Sequence, residues 1–214
     1  MRPLVLFDVA DTLIYKTGLF DTIADCLADE GLQREPSEIR RLHAELRERT
    51  TFPEKPGSDF YEIFNRRLLE SLEIPATEKL ARNIFLACKA LPWTAFEDTG
   101  ALTDLNARMG IVSNWDNGLV SMLARYFSIP FDPVVVSGIE GVAKPDTAIF
   151  HAALERSRSS GTAKFHVGDS PVFDMEPAAA AGLTPVLIDR FGLYPDFTGR
   201  RITSLTLLGK ILRG

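Results

Sequence analysis

Five polar residues in this 214-residue chain stand where an apolar run gives way to a turn: Asp8, Ser113, Lys144, Asp169 and Asp174. Asp8 ends Leu4-Val5-Leu6-Phe7, and Ser113 ends Met109-Gly110-Ile111-Val112. Lys144 opens a Lys144-Pro145-Asp146 turn. Asp169 follows Phe165-His166-Val167-Gly168, with Asp174 five residues on. A carboxylate withdrawn from water is costly unless a cation or hydrogen bonds compensate it. Three carboxylates and a main-chain carbonyl form a hard oxygen site suited to Mg²⁺. A lysine and a hydroxyl add charge and a hydrogen bond for phosphoryl oxygens, and in-line phosphoryl transfer needs mostly positioning and charge neutralisation. In that chemistry Asp8 is the nucleophile of an acyl-phosphate intermediate. Taken with its own strand alone, Asp8 reads equally well as a residue capping a turn.

Such convergence requires strands that deliver their ends to one edge. The unalternating runs ending at Asp8, Ser113, Val136, Gly168 and Ile188 read as strands buried on both faces. Between the later ones lie helical stretches at about 118–127, 147–158 and 176–181, the pattern of βαβ units in a parallel sheet. The fold class is therefore α/β, a doubly wound parallel (Rossmann-like) sheet, with ligands expected beyond the carboxyl ends of its strands. After Thr12 the pattern turns helical for some eighty residues. Phe20, Ile23, Ala24 and Leu27 mark one helix, closed by Gly31, and Ser37 is placed to cap a second with Ile39, Leu42 and Leu46. The turn-rich 52–57 precedes a third helix with Phe60, Ile63, Phe64, Leu68 and Leu72 on its apolar side, and Thr77 caps a fourth. This divides the chain into a core of 1–14 with 91–214 and an all-helical insertion of 15–90. Residues 192–201 read as a loop before a last apolar element, Ile202 to Leu208.

Composition sets the outer bounds. A hydrophobic fraction of 45% with 25% charged residues is that of an ordinary globular protein. The net charge of -5 argues against general affinity for nucleic acid or an anionic membrane. Arg40, Arg41, Arg47 and Arg49 interleave with Glu38, Glu45 and Glu48 as on a solvated helix face. No apolar run is long enough to span a bilayer and no signal peptide is visible. Cys26 and Cys88 read as reduced core thiols, and the expected location is cytoplasmic.

The residues at these strand ends resemble the four motifs of the haloacid dehalogenase-like hydrolase superfamily, in order and across nearly the whole chain. Asp8 with Thr12-Leu13 is similar to the first, Ile111-Val112-Ser113-Asn114 to the second, Lys144 to the third, and Gly168-Asp169-Ser170 with Asp174 to the fourth. The resemblance implies a hydrolase acting through Asp8 on a small phosphorylated metabolite. Ser113, Asn114 and Lys144 would then bind the phosphoryl group, and Lys144 would steady the intermediate. Mg²⁺ would be held by Asp8, the main-chain oxygen of Ala10, Asp169 and Asp174. It further implies that 15–90 is a cap over the site, whose candidate substrate contacts by charge are Lys16, Arg49, Lys55 and Arg66. For each of these, a solvated surface position is the competing reading.

The chain departs from that pattern two residues after Asp8. Most phosphatases of the superfamily carry an aspartate there to protonate the leaving oxygen and activate water, and this chain has Ala10. Asp11 takes a position where glycine is common, and adjacent side chains point in different directions. Losing a general acid–base costs about 10²–10⁴-fold. Three readings follow: a phosphatase with a good leaving group or a cap-supplied acid, a phosphonatase- or dehalogenase-type hydrolase, or a metal- and phosphate-binding protein with vestigial activity. Lys55 is the nearest cap lysine for phosphonatase chemistry, while Asp169 and Asp174 are unlike the dehalogenases. His43 reads as a surface residue, and His151 and His166 as structural, having no carboxylate or thiol at ligand spacing. Trp115 either walls the pocket or packs between helix and sheet.

Overall fold

A computed structural model describes residues 2–53, 57–159 and 161–213. In chain order the strands are β1 (Leu4–Phe7), β2 (Ile14–Lys16), β3 (Trp93–Ala95), β4 (Arg108–Ser113), β5 (Val134–Val136), β6 (Lys164–Gly168), β7 (Thr184–Ile188) and β8 (Arg201–Ile202). The α-helices are α1 (Leu19–Ala28), α2 (Pro36–Arg47), α3 (Ser58–Ser71), α4 (Glu78–Lys89), α5 (Leu119–Tyr126), α6 (Ser137–Glu140), α7 (Ala148–Ser157), α8 (Glu176–Ala180) and α9 (Leu208–Leu212). The chain forms two compact units, Met1–Tyr15 with Ala95–Gly214, and Lys16–Thr94.

The first unit is a parallel six-stranded sheet in the order β5-β4-β1-β6-β7-β8. Its central strand is the apolar run before Asp8, and Leu4, Val5, Leu6 and Phe7 are all fully buried. That is the expected consequence of covering both faces of a parallel strand. Leu4 and Leu6 pack with Val112, Val135, Ile149 and Phe150, so β1, β4, β5 and α7 share one core. Each such side chain contributes about 1.5–3 kcal/mol through burial. The tail after 192 resolves into β8, a 3₁₀ turn over Leu205–Leu207 and α9.

The second unit contains α1 to α4 around Phe20, Ile23, Leu27, Ile39, Leu68 and Leu80. Thr77 caps α4 as expected, its Oγ1 accepting from Leu80 N at 3.2 Å. Three expectations in this stretch are corrected. Ser37 does not cap α2, which starts from Glu35 with Pro36 at its first position, where a fixed φ and a missing N–H cost nothing. Ile63 is 45% exposed, because the buried stripe of α3 runs through Phe64, Leu68 and Leu72 at i, i+4 spacing and places its neighbour round the helix. His43 is not a surface residue but lies between the rings of Phe20 and Phe64, at 5.3 and 5.1 Å. Burial, helped by Arg47 and Arg40, pushes its imidazole down to about 3.

Two strands were not foreseen. β2 and β3 pair in a two-stranded sheet of their own, and three residues each are too few to show a period. Of the turn-rich stretch 52–57, residues 54–56, including Lys55, lie outside the described residues. No helix among the described residues is long and apolar enough to cross a membrane.

Candidate active site

The sheet order brings the polar strand ends together. β1 lies between β4 and β6, with Phe7 in register with Ile111 on one side and Val167 on the other. Successive connections leave β1 toward β4 and β5, then return to β6 on its far side, so Asp8 stands at a topological switch point. Asp8 N donates to Val167 O at 2.9 Å, which continues the ladder to the carboxylate itself. Ser113 closes β4, and its Oγ donates to Asp8 Oδ1 at 3.1 Å.

Lys144 arrives from a loop and is held by its backbone. Asn114 Nδ2 donates to Lys144 O at 2.9 Å, and Lys144 N donates to Asn114 Oδ1 at 2.8 Å. The Asn114 amide, expected at the phosphoryl group, is thus spent on fixing the lysine. Lys144 Nζ then donates to Asp8 Oδ1 and to Asp174 Oδ1, each at 2.6 Å. Asp174 itself sits in a single π turn, Pro171–Met175, a local widening common at functional sites. Ser170 Oγ caps that turn by accepting from Phe173 N at 2.8 Å, while Asp174 Oδ2 accepts from Ser170 N at 3.1 Å. Gly168 makes room for this carboxylate, since a Cβ there would stand 2.5 Å from Asp174 Oδ2.

Acidic groups crowd this cluster. Asp8, Asp169 and Asp174 each present a carboxylate oxygen within 4.8 Å of the others, and Lys144 is the ammonium bonded among them. Burial would lower the Lys144 pKa, but Asp174 and Asp8 outweigh it and raise the amine above its ordinary value. Burial would raise Asp174, yet Lys144 and the hydrogen bond from His166 hold it well below the usual carboxylate range. Asp8 is raised by burial, with Asp174 adding to the rise and Lys144 opposing it. The ammonium thus compensates Asp174 more fully than Asp8. Hard oxygen donors from three carboxyl groups and a Gly168 cradle around one of them together suit a divalent cation.

Other expected residues fall elsewhere. Ala10 lies in the turn after β1, bridged to Ile14, and Asp11 holds a left-handed φ of 57° there, a conformation Asp tolerates better than most residues. Trp115 is half-buried and its N donates to Ser137 Oγ at 3.1 Å. In the helical unit Lys16 Nζ donates to Cys88 O at 2.8 Å, Arg66 is half-buried and Arg49 exposed. Cys26 and Cys88 are both free thiols, and burial pushes the Cys88 thiol up to about 12. His151 is exposed. His166, expected as structural, has a carboxylate partner all the same, its Nε2 lying 2.9 Å from Asp174 Oδ1. The partner is eight residues away through a strand end and a π turn, beyond any regular spacing.

Comparison with known proteins supplies a family and a fold. Residues 3–182 match the haloacid dehalogenase-like hydrolase family. Haloacid dehalogenase-like hydrolase domain-containing protein 3 of Danio rerio is 34% identical over 119 residues, covering 53% of this chain and 49% of the relative. The match thus spans about half the length of that relative. Glyceraldehyde 3-phosphate phosphatase of Methanothermobacter thermautotrophicus is 29% identical over 206 residues, covering 88% of this chain and 86% of the relative. Among solved structures, a 2-haloacid dehalogenase from Pseudomonas syringae pv. Tomato superposes with a TM-score of 0.60 at 23% identity, covering 100% of this chain and 99% of the other, a likeness of fold.

Proposed function

The chain belongs to the haloacid dehalogenase-like hydrolases, and from that premise we propose that it is a Mg²⁺-dependent phosphatase on a small phosphorylated metabolite. Asp8 is the nucleophile. The observation that carries this reading is Asp8 Oδ1 pinned by Lys144 Nζ and Ser113 Oγ at 2.6 and 3.1 Å. Both donors fall on one oxygen, which fixes the carboxylate for attack on phosphorus. The phosphoryl group passes to Asp8 as the ester oxygen departs, and water then cleaves the acyl phosphate. Lys144 and Ser113 hold the nucleophile and offer charge and a hydroxyl to phosphoryl oxygens, and Asn114 positions Lys144 through its backbone.

Asp8, the main-chain oxygen of Ala10, Asp169 and Asp174 would hold Mg²⁺, which supplies neutralisation of phosphoryl charge when bound. The 29% identity to a named phosphatase over most of both chains supports the substrate class. The carboxylates of Asp169 and Asp174 favour a metal-dependent hydrolase over a dehalogenase. The helical unit, Lys16–Thr94, is the cap that completes recognition of the substrate.

With Ala10 in place of an acid–base, leaving-group quality governs the rate. An aryl phosphate should be hydrolysed with Mg²⁺ and alkyl phosphates slowly, and Ala10→Asp should raise alkyl turnover by about 10²-fold or more. Absence of Mg²⁺-dependent turnover on both classes refutes the phosphatase and leaves a metal- and phosphate-binding protein. Preferential turnover of a phosphonate or haloacid in the same panel would reassign the reaction.

A further inference from the structure

His166 occupies the middle of β6, fully buried, in register with Leu6 of β1 and Pro185 of β7. Its own strand neighbours are Phe165 and Val167, and the edge of its ring meets Phe150 at a centroid distance of 4.8 Å. An aliphatic side chain would fill such a place with no polar atom to desolvate. The ring's two nitrogens are treated unequally. Nε2 faces Asp174 Oδ1 at 2.9 Å, whereas Nδ1 is buried with no hydrogen-bond partner among the described residues. A proton on Nδ1 would be an orphaned donor and would leave Nε2 and a carboxylate oxygen as two facing acceptors.

We propose that His166 is a positioning residue, carrying its proton on Nε2 and donating it to Asp174 Oδ1 to set how that carboxylate divides its two oxygens. Lys144 Nζ and His166 Nε2 both donate to Oδ1. Ser170 N occupies one acceptor position of Oδ2. A carboxylate oxygen has about two acceptor positions, so Oδ1 is filled by the protein and Oδ2 keeps one for a cation. Without His166 the carboxylate is held by Lys144 Nζ and Ser170 N alone, and the direction of the open position on Oδ2 is less tightly fixed. The cation half of this inference rests on the metal reading above, while the tautomer and the orientation of Asp174 stand without it.

Three substitutions and two readouts test it. Leu removes the donor, Gln brings an amide nitrogen to the place of Nε2, and Asn brings one only to the place of Nδ1. Mg²⁺ affinity of the metal-free proteins is measured by titration calorimetry, with thermal melts in EDTA as the check of folding. Loss of an outer hydrogen-bond partner to a metal-binding carboxylate weakens binding about 10–100-fold. His166→Leu and His166→Asn should fall by at least about tenfold, and His166→Gln should bind nearly as wild type. A folded His166→Leu with wild-type affinity overturns the proposal. If that variant does not fold, equal affinities of the Gln and Asn variants overturn it instead. Long-range proton–nitrogen NMR of the metal-free wild type should show the Nε2–H tautomer, its signals shifting in Asp174→Asn. An Nδ1–H tautomer overturns the proposal. Should the wild type bind no Mg²⁺, the metal reading fails, and the NMR result alone decides the role of His166.

Discussion

Two ionic clusters in the α/β unit, one half-buried and one buried, use similar groups to opposite ends. In one, Arg190 and Asp98 form a fork, with Nη1 on Oδ2 at 2.7 Å and Nη2 on Oδ1 at 3.0 Å. Ser204 Oγ and Leu205 N also donate to Asp98, each at 2.8 Å, and the guanidinium lies 3.8 Å over Phe96. Arg190 Nη2 reaches Thr12 O at 2.8 Å, bracing the turn that follows Asp8. These groups hold Asp98 below its ordinary pKa although burial alone would raise it. One cation meets one anion, and the carboxylate is fully served. In the other, the ammonium of Lys144 is shared between Asp8 and Asp174, and Asp8 remains raised. A carboxylate matched by its donors marks a closed clamp, and one left raised marks an open site for a ligand.

Removing charge from the open cluster should separate activity from stability most widely. Asp8→Asn should lose about 10⁴-fold or more in kcat/KM, as expected for a nucleophile, while its melting temperature holds or rises because burial and Asp174 disfavour the charge that is removed. A falling melting temperature with substantial residual activity would erase the distinction between the clusters. In the closed cluster the expectation reverses. Arg190→Met leaves Asp98 with only Ser204 and Leu205 and should cost about 1–3 kcal/mol in urea unfolding. Turnover per folded molecule should stay within a few-fold of wild type, and Arg190→Met with Asp98→Leu should recover most of the stability.

The helical unit supplies a third case, with smaller stakes. His43, between two rings and acted on by Arg47 and Arg40, titrates near 3 in the folded unit against about 6.5 unfolded. Below pH 6.5 the unfolded chain binds a proton that the folded chain refuses, so stability falls as pH falls through that window. Between pH 6.5 and pH 5 the loss should be about 1–2 kcal/mol, since one unit of pKa is worth about 1.4 kcal/mol. Thermal melts of His43→Phe should lack this slope. An unchanged slope would assign the pH dependence elsewhere.

The sequence made the sheet legible because parallel strands buried on both faces write themselves as unbroken apolar runs. Asp8, Ser113, Lys144, Asp169 and Asp174 stand out for the same reason, since each ends such a run or opens the turn beyond it. What escaped depends on partners that no local period encodes. Asn114 looked like a ligand group until its amide proved to bracket the backbone of Lys144. His166 looked like filler within an apolar strand until a π turn brought Asp174 to it. His43 shared the charged composition of α2 and was assigned to its wet side, although Phe20 and Phe64 come from other helices to enclose it. The strands β2 and β3 were too short to carry a pattern.

In the proposed reaction Asp8 takes the phosphoryl group, and Ala10 offers no acid–base group to hasten release. A good leaving group needs no proton, whereas cleavage of the acyl phosphate still needs water activated, so the intermediate should accumulate. Rapid-quench mixing with an aryl phosphate and Mg²⁺, followed by mass spectrometry of the Asp8 peptide, tests this directly. The account requires a burst of one phenolate per enzyme, a phosphoryl group on Asp8, and loss of the burst in Ala10→Asp. Steady turnover without a burst and with Asp8 unmodified throughout would contradict it.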